Sequence, residues 1–151
     1  MDPMTAFLIT RGLRTLTLRV RQHNENAMRI AEFLEGENKI RQVHYPGLPS
    51  HPEHDIARKQ MRGFGGILSF ELDADFDKTK QFMDHLRIIK LATSLGGVTS
   101  LANQPVTNTH VALNPEERKK AGVIESLVRL SVGIEDAGAL IEDLRQALAA
   151  V

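Results

Sequence analysis

The chain has 151 residues with 19 acidic and 19 basic side chains, so its formal net charge at neutral pH is zero. This balance gives no basic surface for nucleic-acid binding, and no apolar stretch is long enough to cross a bilayer. The absence of cysteine excludes disulfides and thiol catalysis and fits a cytoplasmic location. A hydrophobic content of 42% suffices for the core of one domain over residues 1–151.

The first third of the chain has the pattern of a long amphipathic helix. Apolar residues between Leu13 and Leu34 recur near the helical period, with charged residues between them. Proline at position 3 suits the first turn of a helix, and Gly36 is a typical end. We therefore expect one N-terminal helix over about residues 5–35, with Gly12 as the point where it can kink.

Strands and helices alternate over the rest of the chain. The clearest strand is 67–72, in which successive side chains divide into two faces. Because several connections are short, we expect an α/β fold of the α+β sandwich type, with a mixed or antiparallel sheet of about four strands and helices packed on it. In chain order, the predicted elements are a strand at 40–45, a polar helix at 52–61, a strand at 67–72, a helix at 75–86, a strand at 88–92, a loop at 103–114, a short helix from 115, a strand at 127–133 and a helix from 137 to 148.

Arg129 lies in the middle of the apolar run 127–133. Because side chains alternate along a strand, Arg129 points away from the face that Val128 and Leu130 share. Its guanidinium stays charged, and its planar fork of donors fits a carboxylate or a phosphate. The residues alone leave two alternatives open, an internal ion pair and a binding site for an anionic ligand.

Three histidines, at positions 44, 51 and 54, lie close in sequence to acidic residues. Their spacing does not place two ligands on one helical face, as a His-Glu-x-x-His zinc site requires. Histidines in turn regions are usually solvated, so we predict no metal site.

The segment 94–97 contains a serine and a glycine pair after a predicted strand. It is not a Gly-x-Gly-x-x-Gly loop, and no Gly-Lys-Ser/Thr ending follows, so it does not indicate nucleotide binding. Ser94 with His110 and an acid would need a Gly-x-Ser-x-Gly elbow to suggest a hydrolase triad, and none is present.

Several short motifs follow one another in a set order along the chain. They are Arg11-Gly12-Leu13-Arg14-Thr15-Leu16, Tyr45-Pro46-Gly47-Leu48-Pro49-Ser50-His51-Pro52, Gly63-Phe64-Gly65-Gly66, Ser94-Leu95-Gly96-Gly97-Val98, Thr109-His110 and Arg129-Leu130-Ser131-Val132-Gly133-Ile134-Glu135-Asp136. In this order they resemble the second half of the cystathionine γ-synthase/γ-lyase family. These are pyridoxal-phosphate enzymes of cysteine and methionine metabolism, methionine γ-lyase included. The resemblance covers nearly the whole chain and implies the small C-terminal domain of fold-type I pyridoxal-phosphate enzymes.

The resemblance implies substrate-binding roles for three residues and a catalytic role for none. Arg129 matches the arginine that binds the α-carboxylate of the amino-acid substrate. Ser94 matches a serine at the edge of the active site that helps to hold the carboxylate and the catalytic lysine. Thr93 stands where some members have a glutamate facing the distal substrate group, so the leaving group stays undecided between sulfur amino acids and homoserine esters.

The chain also departs from the family pattern. Thr99 stands where members often have glutamate, and Asn103-Gln104 stand where they often have Glu-His. The motifs of the cofactor-binding domain, including its Schiff-base lysine, are not found, so we expect this chain alone to bind no pyridoxal phosphate and to be inactive.

Two function hypotheses follow from these observations. The first is the C-terminal part of a transsulfuration-type enzyme, whose partners would be a pyridoxal-phosphate-binding domain or subunit and a small amino-acid substrate. The second is a non-catalytic interaction or regulatory module that keeps the fold and can self-associate. Neither involves nucleic acid or a membrane.

Overall fold

The computed structural model describes all residues, 1–151. No helix in it combines the length and the apolar character needed to span a bilayer. In chain order, its elements are α1 (Pro3–Leu13), α2 (Leu16–Glu35), β1 (Ile40–His44), α3 (His54–Gln60), β2 (Ile67–Leu72), α4 (Phe76–His85), β3 (Lys90–Leu91), β4 (Leu101–Asn103), a 3-10 helix (Pro105–Thr107), α5 (Pro115–Lys120), β5 (Leu127–Ser131) and α6 (Ala137–Ala149).

The strands form one mixed sheet in the order β1-β2-β5-β4-β3, which confirms the predicted α/β class. The pairs β1/β2, β2/β5 and β4/β5 are antiparallel, and only β3/β4 is parallel. The sheet has five strands where about four were expected, because β4 lies at the edge of a segment predicted as loop. Strand β4 has only three residues and is followed by Gln104-Pro105, so it is too short to show an alternation of apolar and polar residues.

The predicted single helix over about residues 5–35 is two helices. The interruption falls at Arg14-Thr15 and not at Gly12, which is still helical. Thr15 has φ −107° and ψ 4°, outside the helical region, as is usual for the N-cap residue of a helix, here α2. The Arg19 side chain donates to the Gly12 carbonyl oxygen at 3.0 Å, so it satisfies an acceptor that the interruption sets free.

The core fills the space between one face of the sheet and the helices α2, α4 and α6. Val128 and Leu130 of β5 are buried, as the alternation predicted, and they face Phe70 and Leu68 of β2 across the ladder. Arg129 therefore lies on the other face of the central strand. That face is only half-buried at this position, so it is available for a ligand or a partner.

Candidate functional site

Arg129 occupies the middle of β5, the central strand of the sheet. Its register partners are Ser69 on β2 and Asn103 on β4. Because strands flank it on both sides, the backbone of Arg129 is fixed by ladder hydrogen bonds, and only its side chain can adapt.

The Arg129 guanidinium is held by the loop that follows β3. Its Nη2 donates to the Thr93 carbonyl oxygen at 2.7 Å and to the Ser94 carbonyl oxygen at 2.9 Å. Nη1 makes no hydrogen bond within the chain and, unlike Nε, is not shielded from solvent. The guanidinium is thus oriented while one of its nitrogens keeps both hydrogens free.

No acidic side chain pairs with Arg129. The four ion pairs of the structure are Arg41–Asp73, His44–Glu71, Arg58–Asp55 and Arg145–Glu142. The internal ion pair that the sequence left open is therefore not observed. Two carbonyl dipoles satisfy hydrogen-bond donors but do not cancel a unit charge, so the site keeps its attraction for an anion.

The structure brings the three predicted site residues together, though through backbone atoms of the loop. Thr93 and Ser94 are exposed, and their side-chain hydroxyls make no hydrogen bond within the chain. The loop turns at Gly96, whose φ of +73° is unfavourable for residues with a side chain. The Gly96 N–H donates to the Ser131 hydroxyl oxygen at 3.0 Å, which ties the loop to the end of β5.

A second set of contacts fixes the end of this loop, and sequence reasoning missed it. The fully buried Ser100 donates from its N–H and its hydroxyl to the Glu135 carboxylate, at 2.7 and 2.9 Å. Its hydroxyl oxygen accepts from the Gly133 N–H at 2.8 Å. A Cβ at position 133 would lie 2.4 Å from the Val98 carbonyl oxygen, so only glycine allows the loop to approach β5 this closely.

Helix α2 contacts the end of β5, next to the site. The buried His23 bonds through Nδ1 to the Val132 carbonyl oxygen at 2.7 Å, and Asn26 Nδ2 donates to the Gly133 and Glu135 carbonyl oxygens at 3.1 and 2.8 Å. These contacts satisfy the backbone where β5 turns towards α6. A cavity of ≈ 250 Å³ lies beside them, lined mainly by small and apolar residues.

The three histidines considered as metal ligands each make a separate contact within the chain, outside this site. His44 Nε2 pairs with Glu71 Oε1 at 2.9 Å, His54 Nδ1 bonds to the Pro46 carbonyl oxygen, and His51 Nδ1 accepts from the Glu53 N–H. No three side chains of the metal-ligating types come together in the structure.

A sequence model of the "Cys/Met metabolism PLP-dependent enzyme" family matches residues 1–149. The chain belongs to this family. The complete enzymes of the family use pyridoxal phosphate (PLP), as the resemblance in the sequence implied.

Individual members of the PLP-dependent family agree with this assignment. The chloroplastic cystathionine gamma-synthase 1 of Arabidopsis thaliana is 48% identical over 151 residues, which are 100% of this chain and 27% of that protein. The cystathionine beta-lyase of Coxiella burnetii is 48% identical over 146 residues, 97% of this chain and 38% of its own length. A crystal structure of cystathionine gamma synthase from Xanthomonas oryzae pv. oryzae, in complex with cystathionine, superposes with a TM-score of 0.92 at 48% identity, covering 99% of this chain and 38% of that one. The chain thus spans well under half the length of these relatives.

The cavity beside Gly96 and Ser131, which Arg129 does not line, does not fit PLP by itself. It is lined by no lysine, no acidic residue and no tyrosine, so it offers neither an amine for the cofactor aldehyde nor a charged partner for its ring nitrogen. At the loop, Arg129 offers a donor nitrogen, Nη1, that makes no hydrogen bond within the chain. What these residues can do chemically is to bind and orient an anion.

Proposed function

We propose that this chain is the part of a transsulfuration-type enzyme that binds the α-carboxylate of the substrate, with Arg129 as the binding residue. The observation that carries the proposal is a half-buried strand arginine that has no acidic partner and keeps Nη1 free. Buried or half-buried charges are usually paired, so an arginine without a partner at this place indicates an anionic ligand.

The loop around Ser94 supplies the rest of the binding surface. The backbone N–H and the hydroxyl of Ser94 make no hydrogen bond within the chain, and both lie next to the carbonyl that holds Arg129. A carboxylate that contacts Nη1 can therefore accept further hydrogen bonds from Ser94. Such charge-assisted contacts fix the orientation of the substrate, so that the bond to be broken can be aligned for reaction.

Thr93 is the residue of this set that faces the distal substrate group in the proposal. Its hydroxyl is uncharged and makes no hydrogen bond within the chain. It can donate one hydrogen bond and accept up to two, but it cannot attract a distal ammonium group as a carboxylate would. Sulfur amino acids and homoserine esters both stay compatible with this side chain.

The chemistry itself requires a second, cofactor-binding part of the enzyme, on the same polypeptide or on another. That part supplies PLP, which acts as the electron sink of the reaction. In the proposal, this chain alone has no activity. A cytoplasmic location, expected from the cysteine-free sequence, also stays a prediction.

Helix α1 offers a surface for that part. None of its residues is buried, although it carries large apolar side chains such as Phe7, Leu8 and Ile9, which are 60, 55 and 48% exposed. An exposed apolar surface of this kind marks an interaction site. Since the chain corresponds to only 27–38% of its relatives, the occupant we propose is the cofactor-binding part.

A chimera tests the function of Arg129. The chain replaces the corresponding 38% of the Xanthomonas oryzae enzyme, and turnover of cystathionine precursors is measured with and without Arg129→Gln. We expect the variant to lower kcat/KM by roughly 100-fold or more, because a charge-assisted contact to the substrate is lost. Arg41→Gln is the matched control, since Arg41 is also a strand arginine but pairs with Asp73. An Arg129→Gln chimera as active as the Arg41→Gln chimera would refute the carboxylate role.

The exposed face of α1 also supports the alternative, a non-catalytic module that associates through this surface. Light scattering over a range of concentrations distinguishes the two. Self-association that Phe7→Glu abolishes, while Lys59→Glu on the exposed surface of α3 does not, would favour the module. A monomer at all concentrations, whose α1 face becomes protected when the cofactor-binding part is added, would favour the enzyme.

A further inference from the structure

Two buried polar side-chain atoms of the structure have no hydrogen-bond partner, Asn103 Oδ1 and Arg129 Nε. Buried polar atoms without a partner are rare in folded proteins, so each one calls for an explanation. Here the two atoms are complementary, because a side-chain amide oxygen accepts and the Nε–H of arginine donates.

The two residues are also direct neighbours. Asn103 on β4 and Arg129 on β5 are register partners in an antiparallel pair. Side chains opposite each other in such a pair project from the same face, with Cβ atoms about 5 Å apart. The single carbon beyond Cβ in asparagine and the two in arginine bring Oδ1 and Nε into the same space between the strands.

The other end of the Asn103 amide is already engaged. Its Nδ2 donates to Asn108 Oδ1 at 2.9 Å, and the residue as a whole is only 2% exposed. The amide is therefore held with its acceptor end unused, in a place that solvent does not reach. Arg129 Nε–H is the unused buried donor on the same face.

In the structure these two atoms do not bond each other, and we propose that a rotation of the two side chains brings them together, so that Asn103 positions Arg129 with Oδ1 accepting a hydrogen bond from Nε–H. This inference rests on the proposed function of Arg129. With Nη2 held by the Thr93 and Ser94 carbonyls, three of the five guanidinium hydrogens are then fixed by the protein. Only the two on Nη1 stay free, so the substrate carboxylate meets a guanidinium of defined plane and direction. The family resemblance gives glutamate at this position in many members, whereas Asn103 provides an acceptor without adding a charge beside Arg129.

The hydrogen bond can be tested in the full chain by NMR, without substrate or cofactor. The Arg129 Hε signal is assigned by its loss in Arg129→Lys, and its exchange with water is then measured. We expect exchange about tenfold faster in Asn103→Ala, the change that corresponds to one lost hydrogen bond. Asn103→Asp keeps an acceptor and should restore the slow exchange.

The control is Gln104→Ala, which removes a similarly buried amide next to Asn103. Its Nε2 donates to the Glu125 carbonyl oxygen and not to Arg129. Unchanged Hε exchange in Asn103→Ala, or equal acceleration in both alanine variants, would overturn the proposal. If Asn103→Ala does not fold, Asn103→Leu replaces it, and unchanged Hε exchange in that variant would overturn the proposal equally.

The chimera separates this inference from the function on which it rests. There, Asn103→Ala should raise KM for the amino-acid substrate about tenfold with little change in kcat, because it disturbs the orientation of Arg129 and not the reacting atoms. An unchanged KM together with a lost Hε bond would refute the positioning role. If instead the proposed function of Arg129 is wrong, the Arg129→Gln chimera has full activity, while the Hε hydrogen bond is intact in the wild-type chain.

Discussion

Ser100 supports the loop of the candidate site, so Ser100→Ala should destabilise the protein far more than its small size suggests. The hydroxyl is fully buried, accepts from the Gly133 N–H at 2.8 Å and donates to Glu135 Oε2 at 2.9 Å. Removing it leaves the buried Gly133 N–H without a partner, which costs about 1–3 kcal/mol. The hydrogen bond to the carboxylate is lost as well, although the half-buried Glu135 can recover part of it from water.

We therefore expect Ser100→Ala to lower the free energy of unfolding by roughly 2–4 kcal/mol. Urea denaturation followed by far-UV circular dichroism measures this difference. Ser94→Ala is the matched control, because it removes a hydroxyl from the same loop that makes no hydrogen bond within the chain, and its effect should stay within about 0.5 kcal/mol. Equal denaturation midpoints for the two variants would refute the reasoning that the Ser100 hydroxyl holds the loop.

Two further predictions concern groups away from the loop. Asp143, 4% exposed on α6, accepts from the three backbone N–H groups of residues 87–89, each at 2.9 Å. Asp143→Asn should reduce the free energy of unfolding by about 3 kcal/mol, since an NH₂ group then faces at least one of these donors, whereas the exposed Asp84→Asn should have almost no effect. Burial raises the pKa of Tyr45 to about 12, so the neutral phenol is favoured in the folded state, and stability present below the ordinary pKa of 10.0 should be lost as the pH rises towards 12. Since Tyr45 is the single tyrosine, ultraviolet titration of the phenolate reads this group alone, and an ordinary midpoint in the folded protein would contradict the prediction.

Local sequence patterns were sufficient to predict those elements that bury one face against the core. The alternation in residues 67–72 and 127–133 correctly predicted two strands, and the capping residues Asp75 and Asp136 lie where the corresponding helices begin. These features depend on neighbours in sequence, and hence the sequence displays them directly.

Features that depend on distant partners could not be predicted in the same way. The interruption at Arg14-Thr15 replaces the expected kink at Gly12, because the Arg19 side chain reaches back over seven residues to an open carbonyl. Strand β4 has three residues, and its pairing depends on β5 and β3, which are distant from it or too short to be recognised in the sequence. The pairing of Ser100 with Glu135 joins residues 35 positions apart, and neither of them was singled out in the sequence analysis.

The candidate site shows the same division. From its residues alone, Arg129 could be an ion pair or an anion site, and only the fold could decide that no acidic residue reaches it. The fold also shows that the guanidinium is held by backbone carbonyls, which no sequence pattern identifies because every residue has one.

This dependence on backbone carbonyls makes the loop and Arg129 one structural unit. The carbonyls of Thr93 and Ser94 stay in place only if the loop keeps its path, and that path is fixed at Gly96 by Ser131 and at Ser100 by Glu135. The side chains of Ser131, Ser100 and Glu135, none of which bonds to Arg129, therefore determine the direction in which Nη1 points. If this is correct, Ser100→Ala in the chimera should raise KM for the amino-acid substrate as Asn103→Ala does, while Asp143→Asn, which destabilises the fold at a distance from the loop, should leave KM unchanged at temperatures where the protein stays folded.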